Sequence, residues 1–305
     1  MRREREPIKR PAEAIEETAE VQGAALPAAL TNFIGFLLRR VYAQFTAQAT
    51  GDDIDSRDFV VLDALTDRDW LSQLDLAERL DINRTIMVSV IDRLEAQGYV
   101  VRTRNPDNRR SYVLSLTDAG RHALKAMRQA VAERDRLLTA ALTEQEHTRF
   151  NELLIRMQPA RPAPVLHTTE FLVAQAHYRV RKLGDDKLAG TGLRVRHYGP
   201  LSALDALGPC PQQRLAQHLA ITEPAAAALI DELVQAGLVQ RGRDQQDRRR
   251  YALELTPLGR ERLRLVKKAV TSLQADIAKM LGPGGGVEFR ALLLKLLQQD
   301  GSTAA

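Results

Sequence analysis

The chain has 305 residues, 44% of them hydrophobic and 27% charged, with a formal net charge of +5. This length and balance are typical of a soluble protein with two globular domains, and the positive charge favours an anionic partner. The single cysteine excludes an internal disulfide, and no apolar stretch is long enough to cross a bilayer. Because the charged N-terminus also lacks the apolar stretch of a secretory signal, we expect a cytoplasmic protein with no membrane partner.

The first elements along the chain are predicted to be helices. Apolar positions recur at helical spacing over residues 30–50, and Gly51 is suited to end that helix. Two shorter amphipathic helices are predicted over residues 56–65 and 72–80, the second with Ser72 as its N-cap. This half of the chain is therefore expected to be mainly α-helical.

A third short helix is predicted to begin after Asn83, whose side chain can cap its N-terminus. Met87, Ile91 and Leu94 follow at helical spacing and form one apolar stripe, and Gly98 ends the helix. The stripe predicts which face of this helix is buried.

An antiparallel hairpin is predicted next, with strands over residues 99–104 and 110–116 around the turn "NPDN". Successive side chains of a strand point to opposite faces. In the second strand, one face therefore holds Tyr112, Leu114 and Leu116, and the other holds Ser111, Val113 and Ser115.

Two more helices complete this segment, and a matching pair ends the chain. Thr117 and Thr256 can each cap a long helix, and Pro257 suits the first helical position because a missing N–H costs nothing there. Final helices are predicted over residues 143–158 and 287–299.

The whole arrangement occurs twice. Residues 54–121 align with residues 193–260 at a constant offset of 139, and 24 of the 68 aligned positions are identical. A period this long indicates a duplicated domain, since solenoid repeats are much shorter. We therefore predict a charged N-terminal tail, a first unit, a proline-rich linker, a second unit and a C-terminal tail, over residues 1–27, 28–158, 159–164, 165–299 and 300–305.

Three short helices followed by a hairpin form a winged helix-turn-helix, and the sequence resembles the MarR family (multiple-antibiotic-resistance regulators) twice. The first copy carries the resemblance in "LSQLDLAERLDI" and "VIDRLEAQGYVVRTRNPDNRRSYVLSLTDAG", the second in "GLRVRHYGPLSAL" and "LVQRGRDQQDRRRYALELTPLG". The resemblance implies a mainly α fold with small β-hairpins, in which two winged helices and long flanking helices form an intramolecular pseudo-dimer. It also implies a monomeric chain that binds double-stranded DNA, because family members usually bind DNA as dimers of one such unit.

Arginines are concentrated in both predicted hairpins. Residues 102–110 hold four arginines and one aspartate, and residues 241–250 hold five arginines and two aspartates. Such turns suit phosphate contact and insertion into a narrow minor groove, although a solvated hairpin with ordinary surface charge is the alternative. The wing candidates for DNA contact are Arg104, Arg109, Arg110, Arg243, Arg248, Arg249 and Arg250.

The resemblance implies different roles for neighbouring wing arginines. In the family pattern an acidic residue and an arginine two positions later lock the turn, and Arg110 and Arg249 occupy that second position. Arg109 and Arg248 are then the better candidates to reach DNA. Asn108 stands where the acid is usual, so the first wing lacks one charge-assisted hydrogen bond.

The two recognition helices differ in chemistry. In the first copy Arg84, Thr85 and Ser89 lie away from the apolar stripe and can hydrogen-bond phosphates and base edges. In the second copy that face shows Glu223, Ala227, Ala228 and Asp231. Because alanine offers only a methyl contact and acids repel phosphates, either the two halves bind DNA unequally or the chain has lost specific binding.

The resemblance also implies a small aromatic or phenolic ligand, bound between the outer helices and the winged helix. By position, the candidates are Arg40, Tyr42, Phe45 and Trp70 in the first copy, and His177, Tyr178, Arg181 and His197 in the second. Aromatic residues on helices more often belong to the core, so plain packing is the alternative.

No residue pattern indicates catalysis. The sequence shows no nucleophile–base pair and no metal-ligand spacing, so we expect neither an enzyme nor a metal or other cofactor. Cys210 could sense oxidants, but no basic cluster beside it would activate the thiol, which favours an inert residue.

The sequence therefore predicts a ligand-responsive repressor that binds DNA. The alternative is a ligand-sensing or protein-interaction module of the same fold that has lost specific operator binding.

Overall fold

The computed structural model describes residues 28–49, 56–66, 72–80, 82–105, 112–158, 168–243 and 251–298. The first copy contains α1 (Ala28–Thr31), α2 (Ile34–Ala49), α3 (Ser56–Ala64), α4 (Gln73–Leu80), α5 (Arg84–Ala96), β1 (Val100–Arg104), β2 (Tyr112–Leu116), α6 (Asp118–Leu138) and α7 (Glu144–Arg156). The second contains α8 (Thr169–Lys187), a 3-10 turn (Val195–His197), α9 (Tyr198–Leu207), α10 (Gln212–Leu219), α11 (Glu223–Gln235), β3 (Val239–Arg243), β4 (Tyr251–Leu255), α12 (Pro257–Leu281) and α13 (Gly285–Leu297). The predicted fold class, mainly α with small β-hairpins, is confirmed. Among the described helices, none has the length and apolar character that crossing a membrane requires.

Both hairpins are antiparallel and have the same register. Val100 pairs with Leu116 in the first, and Val239 pairs with Leu255, at the equivalent positions, in the second. Burial along β2 does not alternate, because Val113 is as fully buried as Leu114. The centre of this strand is therefore covered on both faces.

The predicted helix caps are confirmed. The Asn83 side-chain oxygen accepts a hydrogen bond from Thr85 N–H at 2.8 Å. The Thr117 hydroxyl oxygen accepts one from Gly120 N–H at 3.0 Å, and Thr256 repeats this bond at 2.9 Å at the start of α12. Each cap satisfies one of the backbone donors that a helix N-terminus leaves without a partner, which fixes where α5, α6 and α12 begin.

The helix predicted over residues 30–50 is interrupted. Phe33 N–H donates to the Leu30 carbonyl and Phe36 N–H donates to the Phe33 carbonyl, both at 3.0 Å, so a tight turn separates α1 from α2. Asn32 lies at this turn, and asparagine weakens a helix because its side chain competes for backbone hydrogen bonds. The predicted stop at Gly51 lies outside the described residues.

The chain forms two compact units, whose boundaries differ from those of the two copies of the repeat. The larger unit comprises Leu37–Leu183 with Leu273–Ala305, and the smaller comprises Met1–Phe36 with Gly184–Ser272. The larger unit contains the first winged helix together with α7 and α13, and the smaller contains the second winged helix.

Each winged helix has its own apolar core. In the first, the predicted stripe of Met87, Ile91 and Leu94 is fully buried against residues of α3, α4 and the hairpin. In the second, the buried residues include Leu201, Leu204, Leu215, Leu219, Ile230 and Leu233. These cores fix the rotation of α5 and α11 and so determine which of their side chains face outward.

Candidate nucleic-acid interface

The outward face of α5 carries the candidates predicted for the first copy. Arg84, Thr85, Val88 and Ser89 are all exposed, because the opposite face of the helix is buried. The Arg84 guanidinium lies 3.2 Å from the Glu78 carboxylate of α4, and the two side chains are 73% and 65% exposed. Exposed ion pairs contribute little to stability, so Arg84 can exchange this partner for a phosphate or a base at small cost.

The outward face of α11 differs. Ala226, Ile230 and Leu233 are buried, and the exposed residues include Glu223, Ala228 and Asp231. Apart from the backbone, this face offers methyl groups and carboxylates, as the sequence predicts.

A salt bridge ties each wing to its recognition helix. The Arg102 guanidinium of β1 bonds Asp92 at 2.5 Å and also Glu95, and Arg241 of β3 bonds Asp231. The number of arginines in a hairpin does not reveal this structural role. One arginine of each wing is paired with an acid of the recognition helix. The signal that could have revealed it is the identity of both partners, Asp92/Asp231 and Arg102/Arg241, in the two copies.

The wing tips, residues 106–111 and 244–250, lie outside the described residues. This range includes the predicted contacts Arg109, Arg110, Arg248, Arg249 and Arg250. Arg104 and Arg243 are the last residues of β1 and β3, in register with Tyr112 and Tyr251, and Arg104 is exposed. The two strands therefore lead from the recognition helices towards the tips.

Each recognition helix is bonded to the element before it, but the charged residue that the helix contributes is basic in the first copy and acidic in the second. In the first, buried Asp58 of α3 accepts a hydrogen bond at 2.9 Å from Arg93 of α5. At the equivalent positions of the second copy, the His197 ring lies 2.9 Å from a carboxylate oxygen of Glu232 on α11. The acid therefore lies on the recognition helix in the second copy and on the preceding element in the first. Arg196 adds a 2.7 Å bond to Glu232.

His197 is held neutral in this contact. Its Nδ1 accepts a hydrogen bond from the Arg194 backbone N–H at 3.2 Å, so Nε2 carries the proton that is donated to Glu232. Burial lowers the pKa of His197 from its ordinary 6.5, although the bond to Glu232 works in the opposite direction. With both ring nitrogens engaged, His197 supports the winged helix rather than standing open to a ligand.

Acidification should therefore destabilise the second winged helix. The unfolded chain takes up a proton on His197 near pH 6.5, before the folded chain does, so stability is present above that pH and is lost as the pH falls through the lower folded pKa. We expect His197→Gln to lose less stability than the wild type between pH 7.5 and 5.5, measured as the urea midpoint. His122→Gln, at an exposed histidine of α6, is the control and should follow the wild type. Equal pH profiles for His197→Gln and the wild type would contradict this assignment.

Three of the predicted ligand residues meet in the larger unit. The Tyr42 ring stacks on His177 with 4.6 Å between centroids, and its hydroxyl lies 2.8 Å from that of Tyr178. The sequence assigns Tyr42 to one cleft and the other two residues to another, but the structure brings α2 and α8 together in one cluster. Phe45 is fully buried, Arg40 and Arg181 are half-buried, and Trp70 lies outside the described residues.

Cys210 is fully buried, and its backbone N–H and carbonyl both pair with those of Leu253 in β4. Burial raises the pKa of the thiol, which keeps it protonated and unreactive. This favours the inert residue over the oxidant sensor.

Comparison with known sequences gives two matches within this chain. Sequence models of the MarR family match residues 54–112 and residues 191–250. A transcriptional regulatory protein named for the hcr operon of Thauera aromatica is 33% identical over 129 residues, which cover 41% of this chain and 78% of that protein. The HTH-type transcriptional repressor NicR of Pseudomonas putida is 30% identical over 135 residues, which cover 43% and 85%.

Comparison with solved structures gives matches of similar extent. The transcriptional repressor CouR bound to a 23-mer DNA duplex is 27% identical, with a TM-score of 0.39, and the match covers 47% of this chain and 99% of that one. Each of these three matches covers less than half of this chain and more than three-quarters of the relative.

Proposed function

Since the chain belongs to the MarR family, with two matches to it, we propose that it is a ligand-responsive repressor that binds duplex DNA through both winged helices as a single-chain pseudo-dimer. Its relatives are transcriptional regulators, and one of them is named as a repressor. They support a regulatory rather than an enzymatic role. In this proposal residues 28–158 and 165–299 take the places of the two subunits of a dimer, and residues 159–164 link them.

The observation that carries the proposal is the contact between α7 and α13, the last helices of the two copies. The rings of Phe150 and Phe289, which are equivalent positions of the repeat, stack with 5.3 Å between their centroids. Contact between equivalent positions is typical of a two-fold dimer interface, which supports an internal pseudo-dimer.

In this proposal the recognition helices and the wings contact different parts of the DNA. Arg84, Thr85 and Ser89 of α5 would read base edges in the major groove, while the wing arginines neutralise phosphates or enter the minor groove. The Arg102–Asp92 and Arg241–Asp231 bonds would keep each wing at a fixed angle to its recognition helix. Preorganisation of this kind reduces the entropy lost on binding.

The ligand would be a small aromatic or phenolic compound that acts at the cluster of Tyr42, His177 and Tyr178. Its ring could stack as His177 stacks on Tyr42, and its polar group could replace the hydroxyl contact between the two tyrosines. Because the cluster joins α2 to α8, the proposed ligand would act by spreading these two helices. Only a ligand that binds one arrangement better than the other can shift the equilibrium between them.

The second candidate function is a ligand-sensing or protein-interaction module without specific operator binding. The alanines and acids on the outward face of α11 favour it, because they give poor base readout. A gel shift with the flanking genomic DNA, in the presence of excess nonspecific duplex, separates the two candidates. A complex that survives the competitor supports the repressor, and its loss supports the module.

The wing arginines provide a test of the electrostatic part of the proposal. We expect Arg109→Ala with Arg248→Ala to weaken binding to every duplex and to flatten the salt dependence by about 0.9 units of log–log slope per lost phosphate contact. The measurement is the dissociation constant between about 50 and 200 mM salt. Arg136→Ala on the exposed face of α6 removes a charge elsewhere and is the control. An unchanged slope in the double variant would show that the wings do not bind phosphates.

A further inference from the structure

Two pairs of equivalent residues meet between α7 and α13, both in the larger unit. Besides Phe150 and Phe289, Arg149 meets Glu288, with Arg149 Nε 3.0 Å from each oxygen of the Glu288 carboxylate. The members of each pair are 139 residues apart, which is the offset of the repeat. Equivalent positions meet in this way only beside a two-fold axis, so these residues lie next to a local one.

The apolar part of this contact is the same from either copy. The buried residues of α7 are Phe150, Leu153 and Leu154, and the equivalent positions of α13 hold Phe289, Leu292 and Leu293. Pairing of two α7 helices, or of two α13 helices, from different chains would therefore bury the same side chains. Hydrophobic burial alone cannot select which copies pair, since it depends only on the area removed from water.

The charged part of the contact is different in the two copies. Beside the axis a residue faces its own equivalent, so two first copies would bring Arg149 against Arg149, and two second copies would bring Glu288 against Glu288. A first copy paired with a second brings opposite charges together. Away from the axis, Lys295 Nζ lies 2.8 Å from a carboxylate oxygen of Glu146, whose equivalent in the second copy is Gly285. Two second copies would therefore leave each Lys295 without this acid.

The pKa of each acid in this contact is lowered by its basic partner. Hydrogen bonding from Arg149 lowers the pKa of Glu288, and hydrogen bonding from Lys295 lowers that of Glu146. The two carboxylates are therefore held as anions at neutral pH. Their side chains are 42% and 34% exposed, so the attraction should be sensitive to salt.

We infer that the charges of the α7/α13 contact fit a first copy to a second copy and reject pairing between like copies of two chains. The common apolar surface provides the association, and Arg149 with Glu288 makes it selective, by attraction in one pairing and repulsion in the others. A duplicated chain needs such selectivity because both of its halves keep the same dimerising surface. The inference concerns the contact alone and does not depend on binding to DNA.

Charge reversal in the full chain tests this directly. Glu288→Arg creates, inside one chain, the like-charged contact that two first copies would make. Arg149→Glu creates that of two second copies, but it also places an acid beside Glu152, which lies 2.7 Å from Arg149 in the wild type. Arg149→Gln and Glu288→Gln remove the attraction without adding repulsion. We expect the urea midpoint to fall slightly in each glutamine variant and further in each reversal, and to return towards the wild type when both reversals are combined. High salt should bring the reversals and the glutamine variants together.

The control pair is Glu133 with Arg136, which are joined on the exposed surface of α6 with both side chains more than half exposed. Reversing Arg136 alone, or both residues, should leave the midpoint almost unchanged. Equal midpoints for Glu288→Arg and Glu288→Gln would overturn the inference, as would a double reversal that only adds the losses of the two single ones. The urea measurement contains no DNA, so its failure would not contradict the repressor proposal. A failed gel shift, in turn, would not contradict this inference.

Discussion

Alanine in place of Gly120 or Gly259 is expected to destabilise strongly the winged helix that carries it. A Cβ at Gly120 would lie 2.1 Å from the backbone oxygen of Tyr99, and one at Gly259 would lie 2.0 Å from that of Leu238. Both obstacles are backbone atoms, so no side-chain rotation can relieve the clash.

The same carbonyls hold the start of the following long helix. Thr117 N–H donates to the Tyr99 carbonyl at 3.0 Å, and Thr256 N–H donates to the Leu238 carbonyl at 3.1 Å. Moving either carbonyl would break this bond and displace the N-cap beside it. Overpacking usually costs about 1–3 kcal/mol, and we expect a loss at or above the upper end of that range.

Urea unfolding of the two variants measures this loss. Gly242→Ala in β3 is the matched control, because its nearest contact is a carbonyl oxygen at 4.0 Å, an ordinary van der Waals distance. We expect it to keep the wild-type midpoint to within a few tenths molar. If Gly120→Ala and Gly259→Ala behaved like this control, the close approach of α6 and α12 to the strands would not be a constraint on the fold.

The elements of this fold could be predicted from the sequence because local chemistry determines them. Asn83, Thr117 and Thr256 cap helices through backbone groups two or three residues away. The stripe of Met87, Ile91 and Leu94 follows from helical periodicity alone. The duplication strengthens such predictions, since a pattern that occurs twice at one offset is less often accidental.

Contacts that depend on how helices pack could not be predicted. Tyr42 and His177 stack across 135 positions of sequence, and nothing in either local pattern indicates that α2 and α8 place them side by side. The exchange of Asp58–Arg93 for His197–Glu232 is visible only once the structure shows that these positions touch. The bonds of Arg102 to Asp92 and of Arg241 to Asp231 are likewise hidden from a count of charges, because such a count ignores the partner of each arginine.

The difference between the recognition helices leads to the second prediction with a large effect. Arg84, Thr85 and Ser89 of α5 are exposed and polar, whereas the exposed face of α11 holds Glu223 and Ala228. Each hydrogen-bonded contact to a base edge gives roughly 1–3 kcal/mol of discrimination, and alanine can supply only a methyl contact. If the protein binds an operator, base changes in one half-site should therefore cost about 10- to 100-fold in affinity, and those in the other much less.

Variants of the two helices assign the half-sites. Arg84→Ala and Ser89→Ala should reduce the penalty for base changes in the sensitive half-site, because the groups that read those bases are gone. Ala227→Ser and Ala228→Ser are matched substitutions at the corresponding face of α11, and they should leave affinity and specificity almost unchanged. The measurement is the affinity for a set of operators substituted one base pair at a time. Equal penalties in both half-sites would mean that α11 reads DNA through its backbone or through methyl contacts as effectively as α5 does through its polar side chains, and the two halves would then be functionally equivalent despite their chemistry.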